Sequence, residues 1–135
     1  MAREILFKAK RIDNGEWVEG SLLQTTAVSL KSFIVPSACY TFDKWDWAEW
    51  LHVDTDTICQ WTGLCDKNGN KIWENDVVYI PYARLEDSYC RVVFKFGQFI
   101  GELADTAYDS IQNRKAEVIG NIFDNPELLG GADNG

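Results

Sequence analysis

The sequence predicts a mainly β fold, a small bent barrel. Three observations predict it: apolar residues alternate in short runs, glycine-centred turns separate those runs, and few segments keep helical periodicity over the length of a helix.

The first run, EILFKAKRIDNGEWVEGSLL, places Ile5, Phe7 and Ala9 on one face and turns at Asp13, Asn14 and Gly15. Asn-Gly supplies the positive φ angles of a tight hairpin turn, and the return strand then brings Trp17 to the same core as Phe7. A second extended run, TTAVSLKSFIVPS, stops at Pro36, which cannot donate to a ladder and marks an edge or a strand end. Residues 40 to 52, YTFDKWDWAEWLH, read as a loop leading into a short helix, because Trp47 and Trp50 share one helical face. The strand ICQWTGL follows, then two polar turns, then VVYI ending at Pro81, with ARLEDS as a loop. YCRVVFKFGQFIGEL predicts a second hairpin in which Val92, Phe94 and Phe96 alternate against Arg91, Val93 and Lys95, with Gly97 and Gln98 in the turn. Residues 105 to 115 read as polar and irregular or weakly helical, EVIGNIF closes the sheet, and Asn125 with Pro126 opens a single helical turn. The barrel is therefore expected to be SH3-like, with hairpin additions and one or two short helices. One compact domain is expected over residues 1–128, with GGADNG in a disordered tail at 129–135.

A chain of 135 residues can bury a core without metal or disulfide help. Its 13 Lys and Arg against 21 Asp and Glu leave a net charge of −8, a mean field that repels phosphate and disfavours nucleic acid as a partner. The dense basic run, Arg3, Lys8, Lys10 and Arg11, reads as a solvated strand face before it reads as a nucleic-acid contact. MAREILFKAK has no apolar h-region, and no stretch approaches the run of about 20 apolar residues that spans a bilayer, so a cytoplasmic protein is expected. In that compartment Cys39, Cys59, Cys65 and Cys90 are expected as thiols.

The stretch DKNGN spaces Asp66, Asn68 and Asn70 like the start of a calcium loop. Such a loop needs Gly at its sixth position and Glu at its twelfth, and these are Lys71 and Val77. The turn reading accounts for more residues: Asp66 and Asn68 bond their own backbone, and Gly69 takes a positive φ. No metal or cofactor is expected there.

TGLCDKNGNKIWENDVV, preceded by FKAKRIDNGEWVEG and followed by EVIGNIFDNPELL, resembles the YopX-like family of phage and prophage proteins. The resemblance covers these three regions in order, leaving residues 28 to 52 without a matching motif. It implies a compact, β-rich, cytoplasmic protein of mobile genetic elements and brings no established activity. The motif residues Gly63, Leu64, Asp66, Gly69, Ile72, Asp76, Val77, Gly120, Asn121 and Pro126 look like turn formers and core positions.

The chemistries compatible with the composition are few. His52 is the sole histidine, and Cys59 and Cys65 lack the spacing of a zinc knuckle. Asp54, Asp56 and Asp76 are the carboxylates from which a metal-dependent enzyme acting on nucleic acid would be built, but no basic groove accompanies them. No G-x-S-x-G or phosphate-cradling glycine loop is present. The expected function is a non-enzymatic module that binds a protein partner, or a second copy of itself, through Trp45, Trp47 and Trp50. The alternatives are the metal-dependent enzyme and a nucleic-acid-binding accessory protein.

Overall fold

A computed structural model of the chain describes residues 4–25, 29–36, 50–83, 86–104, 107–111 and 114–128. The strands are β1 (Phe7–Lys10), β2 (Trp17–Thr25), β3 (Lys31–Pro36), β4 (Leu51–Val53), β5 (Cys59–Cys65), β6 (Lys71–Trp73), β7 (Asp76–Ala83), β8 (Glu86–Lys95), β9 (Gln98–Ala104), β10 (Ala107–Asp109) and β11 (Glu117–Asn121). They form one sheet in the order β4-β3-β2-β1-β5-β6 and another in the order β10-β9-β8-β7-β11. The fold is mainly β, as expected. By packing, the chain divides into a first unit, Met1–Trp61, and a second, Thr62–Gly135.

In the first unit, alternation sorts side chains onto two faces of the sheet. The core collects Ala9, Ile34 and Val53, with Phe7, Val18, Leu22 and Ile58 packed against them. Gly20, paired with Pro36, permits the curl of β2 over β3: a Cβ there would stand 2.0 Å from the Val35 carbonyl oxygen. The curl brings β4 back toward the end of β1. Ile12 N donates to His52 O at 3.1 Å, Asp54 N donates to Lys10 O at 2.8 Å, and Arg11 bridges Val53. This contact is an isolated bridge, so the strands make open sheets and not the expected small bent barrel. A single ladder step supplies too few backbone bonds to seal a curled sheet.

Two further expectations in this unit change. The first turn runs from Arg11 to Glu16, with Gly15 N donating to Arg11 O and positive φ at Gly15 and not at Asn14. That longer loop sets Lys10 opposite Trp17 and Ala9 opposite Val18, so Val18, not Trp17, shares the face of Phe7. Ile5 is exposed and Leu6 is buried. The helix expected to end near residue 52 is contradicted at its end, where Leu51–Val53 pairs with β3; residues 40–49 lie outside the described residues. A short 3-10 turn at Thr55–Thr57 follows, started by Asp54, whose carboxylate accepts from Asp56 N at 3.0 Å.

In the second unit, Ile72, Val78, Ile80, Cys90, Val92, Ile111 and Ala116 make the core, joined by Phe99, Leu103 and Val118. β7 continues through Pro81, with a register irregularity between Ile80 and Ala83 where proline cannot donate. Ala107–Asp109, expected as irregular or weakly helical, forms the edge strand β10. The β8–β9 turn is Phe96–Gly97, one residue earlier than expected, because Lys95 pairs with Gln98. At the C-terminal end, Leu128 N donates to Asn125 O at 3.1 Å, the single turn that Asn125 and Pro126 predicted. The tail expected at 129–135 lies outside the described residues.

Candidate functional site

The DKNGN stretch is a turn. Asp66 is buried, and its Oδ1 accepts from Asn68 N and Asn70 N, both at 2.9 Å, while its Oδ2 accepts from Val118 N at 2.9 Å. These three backbone bonds hold β11 and the turn together, and Gly69 takes φ +86°. Burial pushes the Asp66 carboxyl upward, but the amides of Val118, Asn70 and Asn68 outweigh it and hold the group below its ordinary range. Asp76, also buried, accepts from Trp73 N at 2.8 Å in the next corner. In that corner Asn75 takes φ +71°, and its Oδ1 accepts two bonds from the Arg91 guanidinium.

The other motif residues behave as expected, with one exception. Ile72 and Val77 are fully buried, Gly63 has φ +89°, and a Cβ on Gly120 would come within 2.5 Å of Asn125 Oδ1. Leu64 is 37% exposed and is not a core residue.

The acidic trio divides between the two units, Asp54 and Asp56 in the first and Asp76 in the second. Asp54 starts the 3-10 turn and Asp76 closes a corner between β6 and β7, so the carboxylates of these two residues have backbone tasks. Among the described residues no group of three or more His, Cys, Asp or Glu is placed to hold a metal ion. Cys59 and Cys90 are buried and Cys65 is half-buried; Cys39 lies outside the described residues.

The basic run is also occupied locally. Lys8 Nζ lies 4.5 Å and Lys10 Nζ 5.4 Å from the centroid of the Trp17 ring, so the two lysines lie over the indole. Arg11 grips Asp13 through Nε at 2.9 Å and Nη2 at 2.6 Å, and that bond holds the Asp13 carboxyl below its ordinary range. Arg3 lies outside the described residues.

Of the three predicted partner-binding residues, Trp45 and Trp47 lie outside the described residues, and Trp50 is half-buried immediately before β4. Its ring stands 6.2 Å from that of Phe33, and His52 stacks on Phe33 at 5.1 Å and 28°. Phe33 and His52 are cross-strand partners, each next in sequence or one step removed from a buried residue of the opposite face, Ile34 and Val53. They therefore project from the face that turns away from the unit's core. His52 is exposed, as is Ile12, whose backbone bonds to that of His52. Lys31 is exposed at the start of β3, on the same face by alternation. The result is an aromatic patch with an apolar neighbour and a cation at its margin. Sequence reasoning missed Phe33, although the alternation Ser32, Phe33, Ile34 carried the signal: a strand between two others presents one large apolar residue to each face.

Three of the described edge strands are short, irregular or covered. β4 is met along its outer side by the Arg11–Ile12 backbone, β10 is a three-residue strand with an irregular register, and β11 has a register shift between Val118 and Gly120. Short and bulged edges discourage pairing with another chain.

The family model described as YopX protein matches residues 6–130. The chain belongs to the YopX family. This YopX-family chain is also similar to protein EF1440 from Enterococcus faecalis, known from a crystal structure, with a TM-score of 0.58 and 25% identity over 95% of this chain and 99% of that one. No curated protein matches it. Among the described residues of the YopX-family chain, no helix is long and apolar enough to cross a membrane.

Proposed function

We propose that this YopX-family chain is a non-enzymatic interaction module that holds a protein partner through the outer face of its first sheet, centred on Trp50, Phe33 and His52. The observation that carries the reading is the position of Trp50: a half-buried indole against Phe33, on the side away from the core cluster of Ala9, Ile34 and Val53. Large aromatic rings that are neither packed inside nor fully solvated are the anchors that interfaces favour. Trp45 and Trp47, which lie outside the described residues, are proposed as further partner-binding residues of the same module. The reading carries with it the phage or prophage origin and the cytoplasmic setting that the family resemblance implies. A second copy of the chain is a variant of the same contact, since a symmetric dimer uses one patch twice.

The test is affinity capture from host cells with the tagged wild type beside a Phe33→Ala, Trp50→Ala double variant shown to be folded. The captured protein is then purified and its Kd measured against both. The module predicts a Kd at least tenfold weaker for the variant at nearly unchanged thermal stability. Equal affinity would remove this face as the binding site, and a large loss of stability would assign the rings to packing.

A further inference from the structure

We infer that the tip of the β8–β9 hairpin is a second recognition element, in which Phe96 is the anchor for an apolar pocket on a partner protein. This element belongs to the second unit and stands or falls independently of the Trp50 face. Both central residues of the tip take positive φ, +56° at Phe96 and +74° at Gly97, as a two-residue hairpin turn requires. Gly97 meets that demand without cost, whereas a phenylalanine is among the side chains least suited to it; asparagine or glycine is the residue the backbone asks for. Phe96 is nonetheless there, and at 78% it is the most exposed large hydrophobic side chain among the described residues. A bulky apolar residue that suits neither its backbone nor its solvent is explained by what it meets outside the fold.

The tip is also held in readiness. Phe94, itself 53% exposed, meets Phe99 edge-on at 4.9 Å, and Phe99 packs on the core. The Phe96 ring stands edge-on to Tyr108 at 5.7 Å and 88°. Lys95 Nζ donates to the Tyr108 hydroxyl at 2.9 Å and lies 3.8 Å from Glu102, which fixes the tyrosine that supports the phenyl ring. An anchor ordered before binding loses less freedom on binding.

The extent and charge of the patch decide the occupant. With about 200 Å² for each aromatic side chain, Phe94 and Phe96 at these exposures present about 260 Å². A symmetric pairing of two copies would then bury about 520 Å² in all, well below the roughly 1,200 Å² at which stable interfaces begin. Two copies each carrying −8 also repel. A projecting ring on a narrow tip fits a concave apolar site on another protein, which can enclose the ring on all sides.

The experiment installs the photo-crosslinking residue benzoylphenylalanine at position 96 of the full chain in the cells that express it. The crosslinked protein is then purified, and its Kd is measured against wild type, Phe96→Asn and Trp50→Ala. Phe96→Asn is expected to raise the thermal midpoint by a few degrees while weakening the Kd at least tenfold. Trp50→Ala separates the two surfaces and is expected to leave crosslinking at position 96 intact. No crosslink, a crosslink only to a second copy, an unchanged Kd, or a midpoint that fails to rise would each overturn the proposal.

Discussion

Phe33 and Ile34 are neighbours in the chain and opposites in the fold. Ile34 is fully buried in the cluster with Ala9 and Val53, whereas Phe33 is half-buried on the other face beneath His52 and beside Trp50. Strand alternation makes that division unavoidable, because consecutive side chains leave the backbone on opposite sides. One face therefore holds the unit together, and the other carries the proposed recognition surface. The same contrast recurs between two turns of the second unit. At DKNGN, Asp66 satisfies three backbone amides and Gly69 takes the left-handed angle; at the β8–β9 tip, a phenylalanine takes that angle and projects into solvent.

The largest effect is expected where the curl leaves no room. Gly20→Ala drives a methyl group into the Val35 carbonyl, which is backbone and cannot swing aside, and should cost about 3 kcal/mol or more. Urea unfolding would show it as a large fall in midpoint or a failure to fold. Ile34→Ala should cost roughly 2–5 kcal/mol by the same measurement, since it empties the centre of a packed cluster. If Phe33→Ala cost as much as Ile34→Ala, the distinction between the two faces would collapse.

The Asp66 turn should come next. Asp66→Asn replaces one acceptor oxygen by a donor that faces backbone amides, and a loss of about 1–3 kcal/mol is expected near neutral pH. The effect has a pH signature. The folded-state pKa of Asp66 is lowered from 3.8, so its contribution is fully present above that value and is lost as pH falls through the depressed folded value. Thermal midpoints recorded from pH 6 downward should show wild type losing part of its advantage over Asp66→Asn below about pH 4. Parallel curves for the two proteins would show that the carboxylate is not the group that matters.

The smallest effect on stability should come from the outer face. Trp50→Ala should shift unfolding by about 1 kcal/mol or less, because removal of a half-exposed ring leaves no sealed cavity. A shift above about 3 kcal/mol would make the indole a core residue.

Much of this architecture could be read in the residues. The hairpins follow from period-two alternation, and the DKNGN turn follows from side chains that bond their own backbone. What escaped was set by turn length and by long-range contact. The face of Trp17 depended on whether the loop after Arg11 closed in two residues or more, and one added residue inverts a whole strand. The same uncertainty displaced the β8–β9 turn by one position and hid Phe96. Strand β10 is too short and too polar to carry alternation and forms only because β9 offers it an edge. Of the candidate site, Trp50 was legible because aromatic residues draw notice in sequence; Phe33 and His52 joined it only through the pairing of β3 with β4, which lies some 20 residues apart along the chain.

The measurement that bears most directly on the central claim is the paired reading of stability and affinity for the Phe33→Ala, Trp50→Ala variant against the purified partner. The account predicts nearly wild-type unfolding together with a Kd weakened at least tenfold. Wild-type affinity in the folded variant would contradict it.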